Sequence, residues 1–434
     1  MNNSIEPVAR RFAAHPSTWL LSFAVIVGLG AILPAIYLSS TIDPQKHLDG
    51  FPIALVVQPQ TVDGPVDAAA ALADGIETNI DSEKFDLERL SPAQLEKKMS
   101  NGKIYGAVVI PSDFNAAIVD ASSPTPKIEL PTVEVRTNTR IGGVSSALFT
   151  GNVLPVVIGS QKELGQKLIS TTVDGGTQLT PAQTFILGSP FSVVTLPYEP
   201  LPEGTGLGTS TFYYSLLLVL LGFLGASTVH PTVDSAIGFA PNEVGPLVSR
   251  RPYRAVSRRF TLLIKMAVML IAAPVAAAVT QLVAGPVLGM PIAHGVELWL
   301  FASASIIAIG WSALSVFAIF GNIGALINMV FFIALAMTSS GGTVPIEATP
   351  AFFQWIARFE PMHAILQGVK SILYYGANGD SGLTEAWVRT GLGALLGVAI
   401  GLGATTRFDK SPKLTRHPSL VTGEDDVNLV GAKR

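Results

Sequence analysis

Residues 298–338 read LWLFASASIIAIGWSALSVFAIF-GN-IGALINMVFFIALAMT: two apolar runs, 298–320 and 323–338, without a single charged side chain and separated only by Gly321-Asn322. A helix of about 20 apolar residues crosses a ~30 Å hydrocarbon core. A glycine–asparagine pair between two such runs predicts a tight helical hairpin. Four more apolar runs occupy 19–38, 212–229, 260–283 and 388–405. The expected fold class is therefore a polytopic α-helical membrane protein with six spans. Only 14% of the residues are charged, against about 25% in soluble domains. The first run invites a second reading as a cleaved signal peptide. Its length, Pro34 and the lack of an A-x-A site favour an uncleaved helix.

Between the first and second spans the composition changes. Residues 41–210 carry more acidic than basic side chains, and strand and helix signals alternate. Residues 51–57, 104–110 and 128–135 read as strands. Residues 66–80 read as an alanine-rich helix. Ser91-Pro92 reads as an N-cap followed by proline at the first helical position, opening a helix to about Ser100. Pro111 and Asp113 start another helix, and 141–170 is mostly helical. Strands separated by helices predict an α/β layer with at least some parallel pairing. Residues 195–208, rich in proline and glycine, read as a linker to the membrane. The chain has no cysteine, so this domain must be held by its core alone, without disulfides or thiolate zinc sites.

The positive-inside rule orients the spans. Arg250, Arg251, Arg254, Arg258 and Arg259 lie between the second and third, and Arg407, Lys410, Lys413 and Arg416 follow the last. With Arg10 and Arg11 before the first, both termini are expected in the cytoplasm. The resulting plan is a cytoplasmic N-terminus (1–18), a first transmembrane helix (19–38), an extracytoplasmic α/β domain (41–210), a five-helix transmembrane domain (211–406) with an outer amphipathic hairpin (341–375), and a cytoplasmic tail (407–434).

The chemistry-bearing motifs are few. Lys265 and Glu297 lie near span ends, where snorkelling to the interface suffices. Proton-coupled transporters carry acids or histidines at mid-membrane, and none is seen here. This argues against half of a resistance-nodulation-division exporter, which shares the layout. There is no phosphate-cradling G-x-x-x-x-G-K-[ST] loop, no H-E-x-x-H and no G-x-S-x-G. His230, His294 and His363 read as interfacial polar residues, not metal ligands. No catalytic residue, metal or cofactor is expected in this chain, and no nucleic-acid partner. Two segments stand out. The inner loop 238–259, with Glu243, Gly245, Arg250, Arg251 and Pro252 and followed by Lys265, reads either as a basic loop against anionic headgroups or as a short interfacial helix that docks a cytoplasmic partner. The outer segment carries Gly341, Gly342, Pro345, Glu347, Pro350, Phe353 and Pro361, with Phe352, Trp355 and Phe359 giving it an aromatic face suited to the membrane interface.

The run from Ser340 to Met362 (S-G-G-x-x-P-x-E…P-x-F-F…P-M) resembles the outer hairpin of type-2 ATP-binding-cassette (ABC) exporter permeases, closest to the phage-infection-protein (Pip) branch. Residues 102–114, GKIYGAVVIPSDF, are similar to that family's strand-to-helix turn. Glu243, Gly245, Arg251-Pro252 and Lys265 match its ATPase-coupling region in outline, although the E-R-E-x-G-T core is replaced by Asn242-Glu243-Val244-Gly245-Pro246. The order of parts matches over nearly the whole chain. The resemblance implies a permease subunit in a bacterial plasma membrane, working as a homodimer. A separate ATPase would supply the ATP, docking on Glu243, Gly245, Arg250, Arg251, Pro252 and Lys265, and a hydrophobic or amphipathic substrate would leave past the hairpin. It also admits a non-transporting envelope scaffold, receptor or secretion accessory acting through the α/β domain. An enzyme acting on envelope lipids would need a clustered outer nucleophile or metal site, which the sequence does not offer.

Overall fold

The computed structural model describes residues 16–61, 67–121, 130–176, 178–411 and 413–416. Arg10, Arg11, the 128–129 start of the expected third strand and the tail beyond Arg416 lie outside the described residues.

Among the described residues the first element is α1 (Pro16–Ser39), followed by an α/β domain: β1 (Phe51–Val57), α2 (Ala68–Asn79), β2 (Phe85–Arg89), α3 (Pro92–Ser100), β3 (Gly106–Ile110), α4 (Phe114–Ala121), β4 (Thr132–Thr137), α5 (Gly143–Asp174), α6 (Pro181–Gly188) and β5 (Ser192–Pro197). The strands form one mixed sheet in the order β2-β1-β3-β4-β5. β1 pairs in parallel with β2 and β3, β4 runs antiparallel to β3, and β5 is parallel to β4. The expected parallel pairing is present. β2, β5 and α6 had no counterpart in the sequence reading, and β5 occupies the start of the expected linker.

Local signals explain the helix starts. Ser91 accepts from the Gln94 amide while the Gln94 side chain accepts from the Ser91 amide, a capping box with Pro92 in the first turn. Thr180-Pro181-Ala182-Gln183 repeats it at α6. Each such cap contributes on the order of 1 kcal/mol. Helices α2, α4, α5 and α6 cover one face of the sheet over a core that includes Phe51, Ile53, Leu72, Phe114, Phe149 and Phe191. α3 covers the other, with Val56, Leu95, Met99 and Val109 between.

The second half is a helical bundle: α7 (Thr209–Ala236), a short hairpin of β6 (Asn242–Val244) and β7 (Leu247–Ser249), α8 (Arg258–Leu282) and α9 (Gly295–Phe320). Then follow α10 (Gly324–Met329), a π-helical stretch Val330–Leu335, α11 (Ala336–Ser339), α12 (Ala351–Ile356), α13 (Pro361–Tyr374) and α14 (Leu383–Asp409). Among the described residues five helices are long and apolar enough to cross a membrane: Gly143–Asp174, Gly206–Ala236, Arg258–Val287, Gly295–Ser339 and Leu383–Asp409. The chain is a membrane protein, mostly helical, with a small mixed sheet.

Packing divides these candidates. α5 buries Phe149, Val153, Val157 and Leu164 against the sheet, so its apolar stripe serves the α/β core. The 295–339 candidate doubles back. Asn328 Nδ2 donates to the Ala313 carbonyl at 3.1 Å across 15 positions, which a continuous helix would hold about 22 Å apart. Gly321, with φ +60, makes the reversal expected from Gly321-Asn322. Phe223, Met269, Phe301, Ile309 and Leu314 fill the bundle core. Small residues let the helices close up: a Cβ on Gly222 would stand 2.6 Å from Ile309, and one on Gly401 2.3 Å from Ser315, the packing habit of membrane helices.

Candidate functional site

The α/β domain, the outer hairpin and the start of α14 enclose a cavity of about 680 Å³, within the range of small-molecule sites. β1 and β3 lead one wall. Tyr105, just before β3, stacks on Phe51 with ring centroids 4.1 Å apart, and its hydroxyl donates to Glu347 Oε2 at 2.8 Å. The backbone clamps the same junction, since the Asp49 amide donates to the Glu347 carbonyl at 2.9 Å. α13 brings Lys370, whose ammonium donates to the Ile141 carbonyl at 2.6 Å. Asn378 donates to Asn101 at 3.0 Å. Gly102, at φ +67, lies under the Tyr375 ring, where a Cβ would come within 2.8 Å. The hairpin is thus seated on the domain by hydrogen bonds and close packing.

Burial dominates the electrostatics. It raises the Glu347 carboxyl above its ordinary value, opposed by the hydrogen bonds the carboxylate accepts. It pushes the Tyr105 hydroxyl well up, helped by the Glu347 charge. It pushes the Lys370 ammonium down to about 8, opposed by Glu347. Among the described residues Lys370 has no carboxylate within ion-pair distance, unlike Arg389, which is paired with Glu385.

The expected hairpin residues divide. Gly341 and Glu347 line the cavity. Gly342 instead meets α7, where a Cβ would lie 2.2 Å from the Phe212 ring. Pro345 precedes a 3-10 turn, Pro350 precedes α12, and Pro361 opens α13. Phe353 is buried, whereas Phe352, Trp355 and Phe359 are exposed, the amphipathic face expected of this segment. Tyr105, Lys370 and Tyr375 were not singled out by the sequence reading as site residues. Tyr105 stood inside a quoted motif, but its partner lies 242 positions away.

Glu360 caps α13. Its carboxylate accepts from the Met362 amide at 2.7 Å and the His363 amide at 3.2 Å. Burial raises its carboxyl to about 7 in spite of these bonds. A raised carboxyl stabilises the fold below its unfolded value, and that contribution is lost as pH rises through about 7. Burial lowers His363, and its effect, of opposite sign, falls below about pH 6.5. Lys370 acts with the same opposite sign only above about 8. The unfolding midpoint is therefore expected to fall between about pH 6.5 and 8, and Glu360→Gln to flatten that fall. Thermal melts of both proteins across this window check it; parallel curves would exclude Glu360 as the source.

At the opposite end of α7 a second cluster is buried. Asp234 accepts from Lys265 Nζ at 2.8 Å and from Arg416 Nη1 at 3.0 Å. Lys265 Nζ also lies 3.0 Å from His230 Nδ1. An ammonium only donates, so Nδ1 accepts and the proton sits on Nε2, 3.5 Å from Asp234 Oδ2. The Arg416 guanidinium covers the Phe239 ring at 4.0 Å. Contrary to the expectation from sequence, Lys265 does not snorkel and does not join the basic loop. It is buried because Asp234, on a neighbouring helix, offers it a counter-ion. A second correction concerns 238–259, where the possible interfacial helix is replaced by the β6–β7 hairpin. Gly245, at φ +56, provides the positive φ that a two-residue loop requires. Glu243, Gly245, Arg250, Arg251 and Pro252 are all exposed there.

Asp409 joins this end as well, accepting from the Arg258 and Arg259 amides at 2.8 and 2.9 Å. The described residues contain no group of three His, Cys, Asp or Glu side chains that could hold a metal ion.

Comparison with known proteins returned no curated protein and no solved structure that matches. A family model described as Protein of unknown function (DUF3533) matches residues 21–391. The match takes in nearly all of α1, the whole α/β domain, the bundle and the start of α14, and so the chain belongs to the DUF3533 family.

Proposed function

We propose that this protein is the permease subunit of an ABC-type exporter in a bacterial plasma membrane, moving a hydrophobic or amphipathic substrate outward by alternating access. In this reading the chain crosses the membrane six times: once in α1, once each in α7, α8 and α14, and twice in the 295–339 hairpin. Both termini face the cytoplasm and the α/β domain faces out. Two copies pair, and a separate ATPase docks on the exposed β6–β7 hairpin and the arginines after it. The resemblance of the 340–362 and 102–114 motifs to type-2 permeases of the Pip-like branch supports this.

The observation that carries it is the division of labour along the bundle. At one end the α/β domain and hairpin share a cavity with the first turns of α14. At the other, Asp234, Lys265 and Arg416 tie α7, α8 and the segment after α14 together beside an exposed basic loop. Rigid helices running between a ligand-sized cavity and a loop open to a cytoplasmic partner are what a driven gate requires.

The test is affinity purification of the full chain from its native membranes with cytosol present. A stoichiometric ATPase carrying a phosphate loop is expected, and Glu243→Ala with Arg251→Ala should release it and abolish export. Recovery of envelope proteins alone would overturn the transport reading. It would favour the second one, a non-transporting scaffold, receptor or secretion accessory, for which the broad exposed surface of the α/β domain is the supporting feature.

A further inference from the structure

We propose that the junction cavity binds the anionic group of an amphipathic molecule, a phosphate ester or similar oxyanion, with the Lys370 ammonium as its counter-ion and the apolar tail laid along α14. This rests on the transport reading only for calling the occupant a substrate; binding itself requires no ATPase and no movement.

Lys370 lines the cavity and is 5% exposed. It has three donors, one of which goes to the Ile141 carbonyl, itself part of the cavity wall. Among the described residues no acid around it lies within ion-pair distance, although the Glu347 charge acts on it from farther off. Glu347 accepts the Tyr105 hydroxyl, Glu385 is held by Arg389, and Asp380 sits exposed at the rim. A buried ammonium without an ion partner carries a large desolvation cost, which an oxyanion entering the cavity removes. A second buried atom agrees: Tyr375 lines the same cavity, and among the described residues its hydroxyl has no hydrogen-bond partner. Lys103 stands exposed at the mouth, adding attraction for an anion on approach.

An apolar surface continues from the cavity along α14. Val388 belongs to the cavity wall and is 54% exposed. Leu392 and Leu395 are also exposed and follow it at helical spacing on the same face of α14. The chamber that holds the buried ammonium thus opens onto an apolar track on a helix apolar enough to cross the membrane. A head that needs a cation and a chain that needs apolar surface are accommodated side by side.

The experiment uses the full chain in a neutral maltoside detergent, titrated calorimetrically with hexyl phosphate, inorganic phosphate and hexyltrimethylammonium. Hexyl phosphate is expected to bind, inorganic phosphate at least about tenfold more weakly for want of a buried chain, and hexyltrimethylammonium not at all. Lys370→Gln should weaken hexyl phosphate roughly tenfold to hundredfold, and Lys370→Arg should retain it. Equal binding of the cationic and anionic amphiphiles to the wild type overturns the proposal whether or not Lys370→Gln folds. Unchanged affinity in a folded Lys370→Gln overturns it too. Inorganic phosphate binding as tightly as hexyl phosphate would assign the cavity to a free oxyanion and overturn the tail. Binding with no ATPase ever recovered would leave the cavity assignment standing and sink only the transport reading.

Discussion

Asp234→Ala is expected to cost about 3–5 kcal/mol of stability, roughly a fifth or more of what a typical domain possesses. The side chain is 6% exposed and faces two cations, Lys265 at 2.8 Å and Arg416 at 3.0 Å, themselves 4% and 8% exposed. With the carboxylate gone, two buried positive charges remain without an anion, and His230, donating weakly and accepting from Lys265, cannot replace it. The penalty is chiefly the desolvation of those stranded charges. It should therefore be relieved by removing them: Asp234→Leu combined with Lys265→Met and Arg416→Leu should melt well above Asp234→Ala, because apolar residues of similar volume often replace a buried ionic group at little cost. Thermal unfolding in detergent and monodispersity on size exclusion provide the readout. An Asp234→Ala protein that melts like the wild type would mean that the cluster is hydrated and holds nothing. A triple variant no better than the single would place the loss in packing, not charge.

The same cluster shows where sequence reasoning ran out. The apolar runs were legible because each is a local pattern: length, absence of charge and a Gly321-Asn322 break are all visible within a few turns. Ser91-Pro92 was legible for the same reason, its capping box being complete within four residues. Thr180-Pro181-Ala182-Gln183 carried the identical signal and could have been read the same way, which would have exposed α6. Ion partners behave differently. Lys265 meets Asp234 across 31 positions and Asp234 meets Arg416 across 182, so neither pairing leaves a periodic trace. Lys265 alone at a span end reads as a snorkelling residue until α7 is packed beside it. The cavity behaves likewise. Gly341 and Glu347 were found through their motif, whereas Lys370 and Tyr375 lie on an apolar helix and in the turn after it. Nothing local distinguishes them there from interfacial residues.

Gly342→Val is expected to cost about 3 kcal/mol, the upper end of overpacking penalties, and to detach the outer hairpin from the bundle. An ideal Cβ at Gly342 would sit 2.2 Å from Phe212 Cδ2 and 3.0 Å from two more ring atoms, well inside van der Waals contact. Phe212 cannot yield easily. It is 5% exposed, belongs to the bundle core and meets Tyr213 edge-on with centroids 5.3 Å apart. Nor can the hairpin shift freely: the Gly342 amide donates to Ser340 Oγ at 3.1 Å, and Gly341 beside it holds φ +74. Backbone strain is not the issue at Gly342 itself, so the clash should be separable by a double-mutant cycle. Phe212→Ala alone should cost about 3–5 kcal/mol through the cavity it leaves. Gly342→Val with Phe212→Ala should cost less than the sum by roughly 1–3 kcal/mol, because the valine fills space the ring vacated. Strict additivity would show that the ring and the glycine do not share that space in the folded protein. Under the transport reading the consequence reaches further. The hairpin is tied to the α/β domain through Glu347 and to α7 through Gly342. A valine there breaks the second tie and leaves the first, so hexyl phosphate binding at the cavity should weaken far less than export.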